Sequence, residues 1–506
     1  MTALPRTRKT ALLIGMVALI AVGVILSASV AAQGRRRTQA AANTGTTLVL
    51  GRPTDRSITL SVLAPTPIEV VVEYGITPGR YSEKTAVGEA RAGEPFEISL
   101  APLRANTRYY YRLLQRPPGQ TDFGAGSEQT FMTARASGST FTFGVQGDSH
   151  PERAGRMFDA ELYQRTMDVV ARERPDFYVM LGDDFSIERL IAQRTVSQSS
   201  VNAVYAAQRP FLGLLTASTS LFLVNGNHEE AARFLLDGTP SNPAVFAGKA
   251  RAQFFPLPAP DTFYSGDAEP VEHVGLLRDY YAWIWGDALF VVLDPYWHSS
   301  VQVDADPGGG GGGNRGRRQS VGGNATRAAG RNRDLWSVTL GEGQYRWLKK
   351  TLEESRARYK FVFAHHVMGT GRGAIEVADF YEWGGRDPRG ATTFREKRPT
   401  WELPIHQLMA KTGVTIFFQG HDHLFARQQK DGVVYQETPN PADPTYTAFN
   451  RDAYRSGDIL PNAGHLLVTV APEGVRVDYV RSYLLKDESS ARKHGEVAFS
   501  YTIPPR

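Results

Sequence analysis

The sequence predicts two folded parts, a small all-β sandwich followed by a larger α/β domain, set behind a basic and apolar leader. Three observations carry this. Residues 47–134 are short alternating strand patterns divided by Pro and Gly turns. From residue 139 on, buried apolar strands alternate with helix-like stretches and end abruptly in polar clusters. Ahead of both, residues 1–32 run basic, then apolar, then small.

The leader has Arg6, Arg8 and Lys9, then the unbroken apolar run of residues 11–26, then small residues ending at Val30-Ala31-Ala32. That order fits a cleaved signal peptide. It also fits an uncleaved anchor, since about 20 apolar residues span a bilayer and Arg35–Arg37 just beyond is unusual for a cleaved leader. In either case the bulk of the chain is expected outside the cytoplasm: secreted, periplasmic or on the cell surface, with the membrane met only through the N-terminus. Residues 33–46 read as a linker.

The first folded part is expected over 47–136. Segments 57–64, 68–75, 96–101, 109–115 and 129–133 alternate with period two and suit a seven-strand sandwich. Tyr109, two residues after Thr107, resembles the tyrosine corner of fibronectin type III domains.

The second part is expected over 140–485. Its strands read FTFGVQ, FYVML, LFLVN, LFVVL, KFVFA and TIFFQ, with helix-like stretches at 158–173 and 343–357. Residues 465–483 read as a β-hairpin, 307–333 as a flexible Gly/Arg loop with six consecutive glycines from Gly308, and 486–506 as a tail.

Composition narrows the function. The chain has 506 residues, 42% hydrophobic and 22% charged, which excludes wholesale disorder, a collagen-like repeat and a multi-span membrane protein. The net charge of +5 comes from residues 1–37 and the Gly/Arg loop, each with six basic residues and no acid; the remainder is acidic, and no nucleic-acid partner is expected. With no aromatic residue interleaved, the Gly/Arg run lacks stacking platforms for RNA. Cysteine is absent. That excludes a thiolate nucleophile, thiolate zinc sites, iron–sulfur clusters and disulfides, so any metal must be held by Asp, His, Asn or Glu.

The chemistry concentrates at strand ends. Of 11 histidines, six lie there: His150, His228, His365, His366, His421 and His423. Asp148, Asp183 and Asn227 accompany them. Imidazole, carboxylate and amide oxygen together suit a divalent metal such as Zn, Mn or Fe. In the pairs Asp148-Ser-His150 and His421-Asp-His423, one turning loop can deliver both side chains to a single cluster.

The ordered set D-x-H, GD, GNHE, H, GHxH resembles the calcineurin-like metallophosphoesterase family over about 141–483. With a fibronectin-like sandwich in front, the layout is similar to that of purple acid phosphatases and related exported phosphoesterases. The resemblance implies a sandwich of mixed sheets flanked by helices and a two-metal site. Asp148, His150, Asp183 and His423 would hold one ion; Asp183, Asn227, His365 and His421 would hold the other, with Asp183 bridging. Two divalent ions of this kind clamp the attacking and leaving oxygens and supply a hydroxide at working pH. His228 is the expected acid, protonating the leaving group or stabilising the phosphoryl oxygens. Glu229 orients His228 or is a plain helix-N-terminal carboxylate. Asp184 is expected just outside the ligands, or as a ligand if the assignment slips by one. His366, Arg372, Arg386, Tyr296, Trp297 and Trp383 are candidates for lining the substrate pocket or for ordinary packing.

The chain also departs from purple acid phosphatases. Ser186 stands where they place a tyrosine, and His150 is a histidine they lack, so a generic divalent pair replaces the iron–tyrosinate centre. The implied function is hydrolysis of phosphate esters, phosphomonoesters first. The alternatives are a phosphodiesterase for nucleotides or phospholipid head groups, a non-phosphate metallohydrolase, and a surface-binding protein on a relic catalytic fold. None of the ligand positions is lost, which a relic would not preserve.

Overall fold

Residues 45–300, 335–367 and 372–505 are described by the structure, a computed structural model. The leader 1–32, nearly all of the linker 33–46 and the Gly/Arg loop 307–333 lie outside these residues. Among the described residues no helix is long and apolar enough to cross a membrane.

The N-terminal part is built from two antiparallel sheets, as its period-two pattern requires. One orders Thr47–Gly51, Ile58–Leu63 and Phe96–Leu100. The other centres on Ile68–Gly75 paired with Arg108–Arg116. Inward residues of both sheets, among them Leu60, Val62, Val70, Val72, Tyr111 and Phe131, form one core. The Tyr109 hydroxyl accepts the backbone N–H of Arg104 at 2.9 Å.

The sandwich packs against the larger part, and residues 47–506 form one compact unit. The buried guanidinium of Arg209, on the helix Gln198–Thr216, donates to the Ser61 carbonyl and hydroxyl at 2.9 and 3.0 Å and to the Phe254 carbonyl at 2.6 Å. Tyr111 donates to the Ala217 carbonyl at 2.6 Å.

The larger part stacks two sheets. A six-stranded sheet runs in the order Ser220–Leu223, Phe177–Met180, Phe141–Gln146, Gly464–Ala471, Gly474–Arg481, Val497–Ile503; its first three strands are parallel. An eight-stranded sheet contains the parallel run Ala288–Val292, Tyr359–Phe363, Ile416–Gln419, Val433–Glu437. Their facing sides share one aromatic core, in which the Phe143 ring lies 5.2 Å from Phe290 and 5.4 Å from Phe361. Helices Ala160–Glu173, Gln198–Thr216 and Pro243–Phe254 cover the outer face of one sheet. Helices Gly341–Glu354 and Ile405–Lys411 cover the other. With both faces buried, the parallel strands read as continuous apolar runs.

Two expectations change. The hairpin expected at 465–483 forms over Gly464–Arg481, but sits inside the sheet, paired on its other side with Phe141–Gln146. Residues 486–506, expected as a tail, carry the edge strand Val497–Ile503, whose Phe499 packs on Phe425 at 5.3 Å.

Candidate metal centre

Five loops, each leaving the carboxyl end of a strand, meet at one buried cluster. The turns are tight, and four of the residues concerned adopt positive φ: His150 (50°), Asp183 (59°), His421 (75°) and His423 (57°). Such values strain a non-glycine residue, and strain of this kind clusters at functional sites. Glycine precedes the ligands where backbone and carboxylate touch. A Cβ on Gly420 would stand 2.5 Å from Asp148 Oδ1, and one on Gly226 would overlap Asp183 Oδ1.

The donors converge. Asp148 Oδ2 lies 3.0 Å from His423 Nε2 and 3.6 Å from His150 Nε2, while its Oδ1 accepts the His421 backbone N–H at 2.8 Å. His150 Nε2 and His423 Nε2 are 3.1 Å apart. Asp183 Oδ2 lies 3.2 Å from His365 Nε2 and 3.6 Å from His150 Nε2. His365 Nε2 is 3.1 Å from Asn227 Oδ1 and 3.2 Å from His421 Nδ1. All seven side chains expected from sequence are thus brought together. Asp183 lies between the pair His150/His423 and the group Asn227/His365/His421.

The arrangement fits cations. Metal–nitrogen bonds of about 2.0–2.1 Å place neighbouring ligand atoms roughly 3.0–3.4 Å apart, the range of most of these separations. Supporting bonds turn the lone pairs inward. His365 Nδ1 lies 2.8 Å from the Leu181 carbonyl, and His150 Nδ1 lies 2.8 Å from Glu152 Oε1, so each ring donates outward and presents Nε2 to the cluster. Asn227 Nδ2 and His423 Nδ1 have no partner among the described residues. Three overlapping groups offer ligand atoms within 4.8 Å of one another: Asp148/Asp183/His365/His421, Asp148/His150/His423 and His150/Asp183/His228.

Charge follows geometry. Burial alone would raise Asp148 and Asp183, but the charge of His365, with His423 for the first and His228 for the second, holds both well below the usual carboxylate range. Against the same burial, Asp183 and Asp148 push His365 up to about 10. Burial pushes His423 down to about 4.

His228 stands at the rim. Its Nε2 is 3.7 Å from Asp183 Oδ2, and its Nδ1 is 2.9 Å from Glu188 Oε2. Arg153 Nη2 lies 3.1 Å from the same Nε2. The guanidinium and a proton on Nε2 therefore compete for one lone pair.

Several expectations need correction. Glu229 does not reach the His228 ring. Its carboxylate accepts four backbone N–H groups, from Gly226 (2.6 Å), Asp184 (2.8 Å), Phe185 (2.9 Å) and Asp183 (3.0 Å), and so ties the GD loop to the GNHE loop. The partner of His228 is Glu188. Asp184 stays where it is expected, just outside the ligands: its Oδ1 accepts from Gln146 Nε2 and the Ser149 N–H, and it belongs to none of the groups that could hold an ion among the described residues. Arg386 is exposed in a turn held by Asp379 and Tyr381, and among the described residues no hydrogen bond or ion pair joins it to the cluster. Trp383 is core, its Nε1 donating to the Tyr435 hydroxyl at 2.8 Å. Trp297 lines a separate cavity of about 480 Å³ with Arg233, Tyr280 and His298.

Three candidates stay near. Arg372 Nη1 donates to the His421 carbonyl (2.9 Å) and to Asp422 Oδ1 (3.0 Å). The His366 ring packs 4.9 Å from His421, and the Tyr296 ring 6.2 Å from His365. Sequence reasoning passed over Arg153, Glu152 and Glu188. Glu152 and Arg153 end the short turn Pro151–Arg153 just after His150, and the D-x-H pattern leaves their charged side chains out.

A model of the calcineurin-like phosphoesterase family matches residues 141–425. The chain belongs to this family, and it is a metal-dependent phosphoesterase. Among solved structures it is similar to that of PhoD, at 14% identity and a TM-score of 0.59, over 91% of this chain and 90% of that one. It is also similar to GAP50, the anchor in the inner membrane complex of Plasmodium, at 11% identity and a TM-score of 0.36, over 72% of this chain and 89% of that one. No curated protein matches.

Proposed function

We propose that this chain is an exported two-metal phosphoesterase whose first substrates are phosphomonoesters. The observation that supports it best is the convergence of Asp148, His150, Asp183, Asn227, His365, His421 and His423 into one buried donor set. Export is supported by the order of residues 1–32; fractionation recovering a full-length soluble cytoplasmic protein would refute it.

Asp148, His150, Asp183 and His423 would hold one ion and Asp183, Asn227, His365 and His421 the other, the ions being Fe, Zn or Mn. Two such ions, when bound, supply Lewis acidity and a water nucleophile at neutral pH. The chain's own residues do the rest. Glu152 and the Leu181 carbonyl hold His150 and His365 in the tautomers that face inward. His228, braced at Nδ1 by Glu188, sits where it can give a proton to a departing alkoxide. Arg153 supplies a partly exposed guanidinium beside it, suited to a phosphoryl oxygen.

Aryl monophosphate and bis-aryl phosphate assays, each with and without chelator, test the reading. Chelator-sensitive hydrolysis faster on the monoester is expected. Faster diester turnover would move the assignment to a phosphodiesterase, and no turnover of either would sink it.

A further inference from the structure

Two buried polar atoms beside the cluster have no hydrogen-bond partner among the described residues, the hydroxyl of Tyr296 and Nδ1 of His366. Tyr296 is 4% exposed and His366 1%. Their rings meet edge to face with centroids 5.7 Å apart. Tyr296 also packs against His365, and His366 against both His365 and His421. The pair therefore flanks the His365–His421 side of the centre, while Arg153 and His228 occupy the His150 side.

Tyr296 is held in place by a rigid elbow. Asp294 Oδ1 accepts the N–H groups of Tyr296 (2.6 Å) and Trp297 (3.2 Å), and its Oδ2 accepts from Asn225 Nδ2 at 2.7 Å. Gln344 brackets Asp294 from behind, accepting its N–H at 2.9 Å and donating to its carbonyl at 2.8 Å. Asn225 opens the loop that carries Asn227, so the elbow and the ligand loop are one framework. The elbow fixes the Tyr296 backbone and burial confines its ring, and a buried hydroxyl left unpaired costs stability. Packing needs only the ring, which phenylalanine would provide without that cost.

We infer that the Tyr296 hydroxyl is a substrate-binding group, donating a hydrogen bond to a phosphoryl oxygen on the His365–His421 side of the centre, with the His366 ring beside it. This rests on the phosphoester reading above. It makes the phosphoryl site two-sided, with a guanidinium donor on one flank and a phenol donor on the other.

The test uses inorganic phosphate, titrated calorimetrically into the metal-loaded wild type and Tyr296→Phe, with melting points taken with and without phosphate. Phosphate affinity should fall about 10- to 100-fold in the variant, the range for a hydrogen bond to a charged acceptor. Metal content should be unchanged, and the melting point without phosphate unchanged or higher, since an unpaired hydroxyl is removed. Affinity within about twofold of wild type overturns the inference and leaves the phosphoester reading intact. So does loss of metal, which would make Tyr296 a support for His365. A variant that fails to fold assigns the hydroxyl to structure and overturns it as well. A wild type that neither binds phosphate nor hydrolyses aryl phosphates overturns both readings.

Discussion

The Nε2 atoms of His150 and His423 lie 3.1 Å apart, although the two residues are 273 positions apart in the chain. Asp148 Oδ2 lies 3.0 Å from one of these nitrogens and 3.6 Å from the other, so three donor atoms crowd one point that a shared cation would hold together. Chelation should therefore lower the melting point, and divalent metal should restore it. At free metal 100 times its dissociation constant the gain is about 2.7 kcal/mol. Calorimetry with and without chelator measures this; an unchanged midpoint would count against a metal centre.

Asp183→Asn should lower the occupancy of both metal positions, and His150→Ala only one. Asp183 Oδ2 faces His365 Nε2 at 3.2 Å and His150 Nε2 at 3.6 Å, one from each side of the cluster. Even outer partners of a metal site are worth about 10- to 100-fold in affinity, so the direct ligand should cost at least that. Metal analysis after dialysis reads it. Two ions retained by Asp183→Asn would show that the carboxylate does not bridge.

Glu229→Gln should destabilise the fold without removing a ligand side chain. The carboxylate accepts four backbone N–H groups, and the amide nitrogen of glutamine would oppose some of those donors. Hydrogen bonds to a charged group are worth about 1.5–3 kcal/mol, and at least one is lost outright. Denaturant unfolding of the apo-protein checks this; a loss below about 0.5 kcal/mol would remove the clamp from the account.

Much of this site was legible in the sequence because each ligand abuts an apolar strand, and parallel strands buried on both faces announce their ends. The donors then had to meet at the carboxyl edge. What was not legible is long-range pairing by side chains. Glu229 and Glu188 are both acids close to known motif residues, and spacing cannot say which one reaches the His228 ring. Of the two roles open to Glu229, the fold takes the backbone one, and Glu188 reaches the ring. Trp383 and Arg386 sit in one Gly-rich loop, and only packing separates a core indole from an exposed guanidinium. The strand Val497–Ile503 was missed because VAFSYTI lies after a hairpin that looked complete, and an edge strand carries less apolar signal.

Glu382 gives the fold a pH dependence away from the metal centre. Burial pushes its carboxyl up to about 7, against the pull of the paired Arg398 and the hydroxyl of Thr339. With the folded pKa raised above the unfolded value, the folded state holds the proton more tightly between about pH 4.5 and 7. This contribution to stability is full below that window and is lost as pH rises through it. The shift corresponds to about 3 kcal/mol at most. Glu382→Gln should flatten the stability profile between pH 5 and about 7.5, measured by denaturant unfolding at each pH. An unaltered slope would show that Glu382 does not titrate there.

His228→Ala and Glu188→Gln should fail in the same way, and the pattern of failure identifies the role of the ring. His228 Nδ1 is 2.9 Å from Glu188 and its Nε2 faces the cluster. If the ring gives a proton to the leaving oxygen, its loss should lower turnover of alkyl phosphates by about 10²–10⁴-fold. Nitrophenyl phosphate should lose far less, since nitrophenolate scarcely needs a proton. Glu188→Gln, which weakens the brace and keeps the ring, should show a smaller version of the same contrast. A pure electrostatic stabiliser would slow both substrates alike. The ring also stands within ligand distance of His150 and Asp183, so metal content must be measured alongside. Loss of metal in His228→Ala would make the residue a ligand, and undiminished alkyl phosphate turnover would remove it from the reaction.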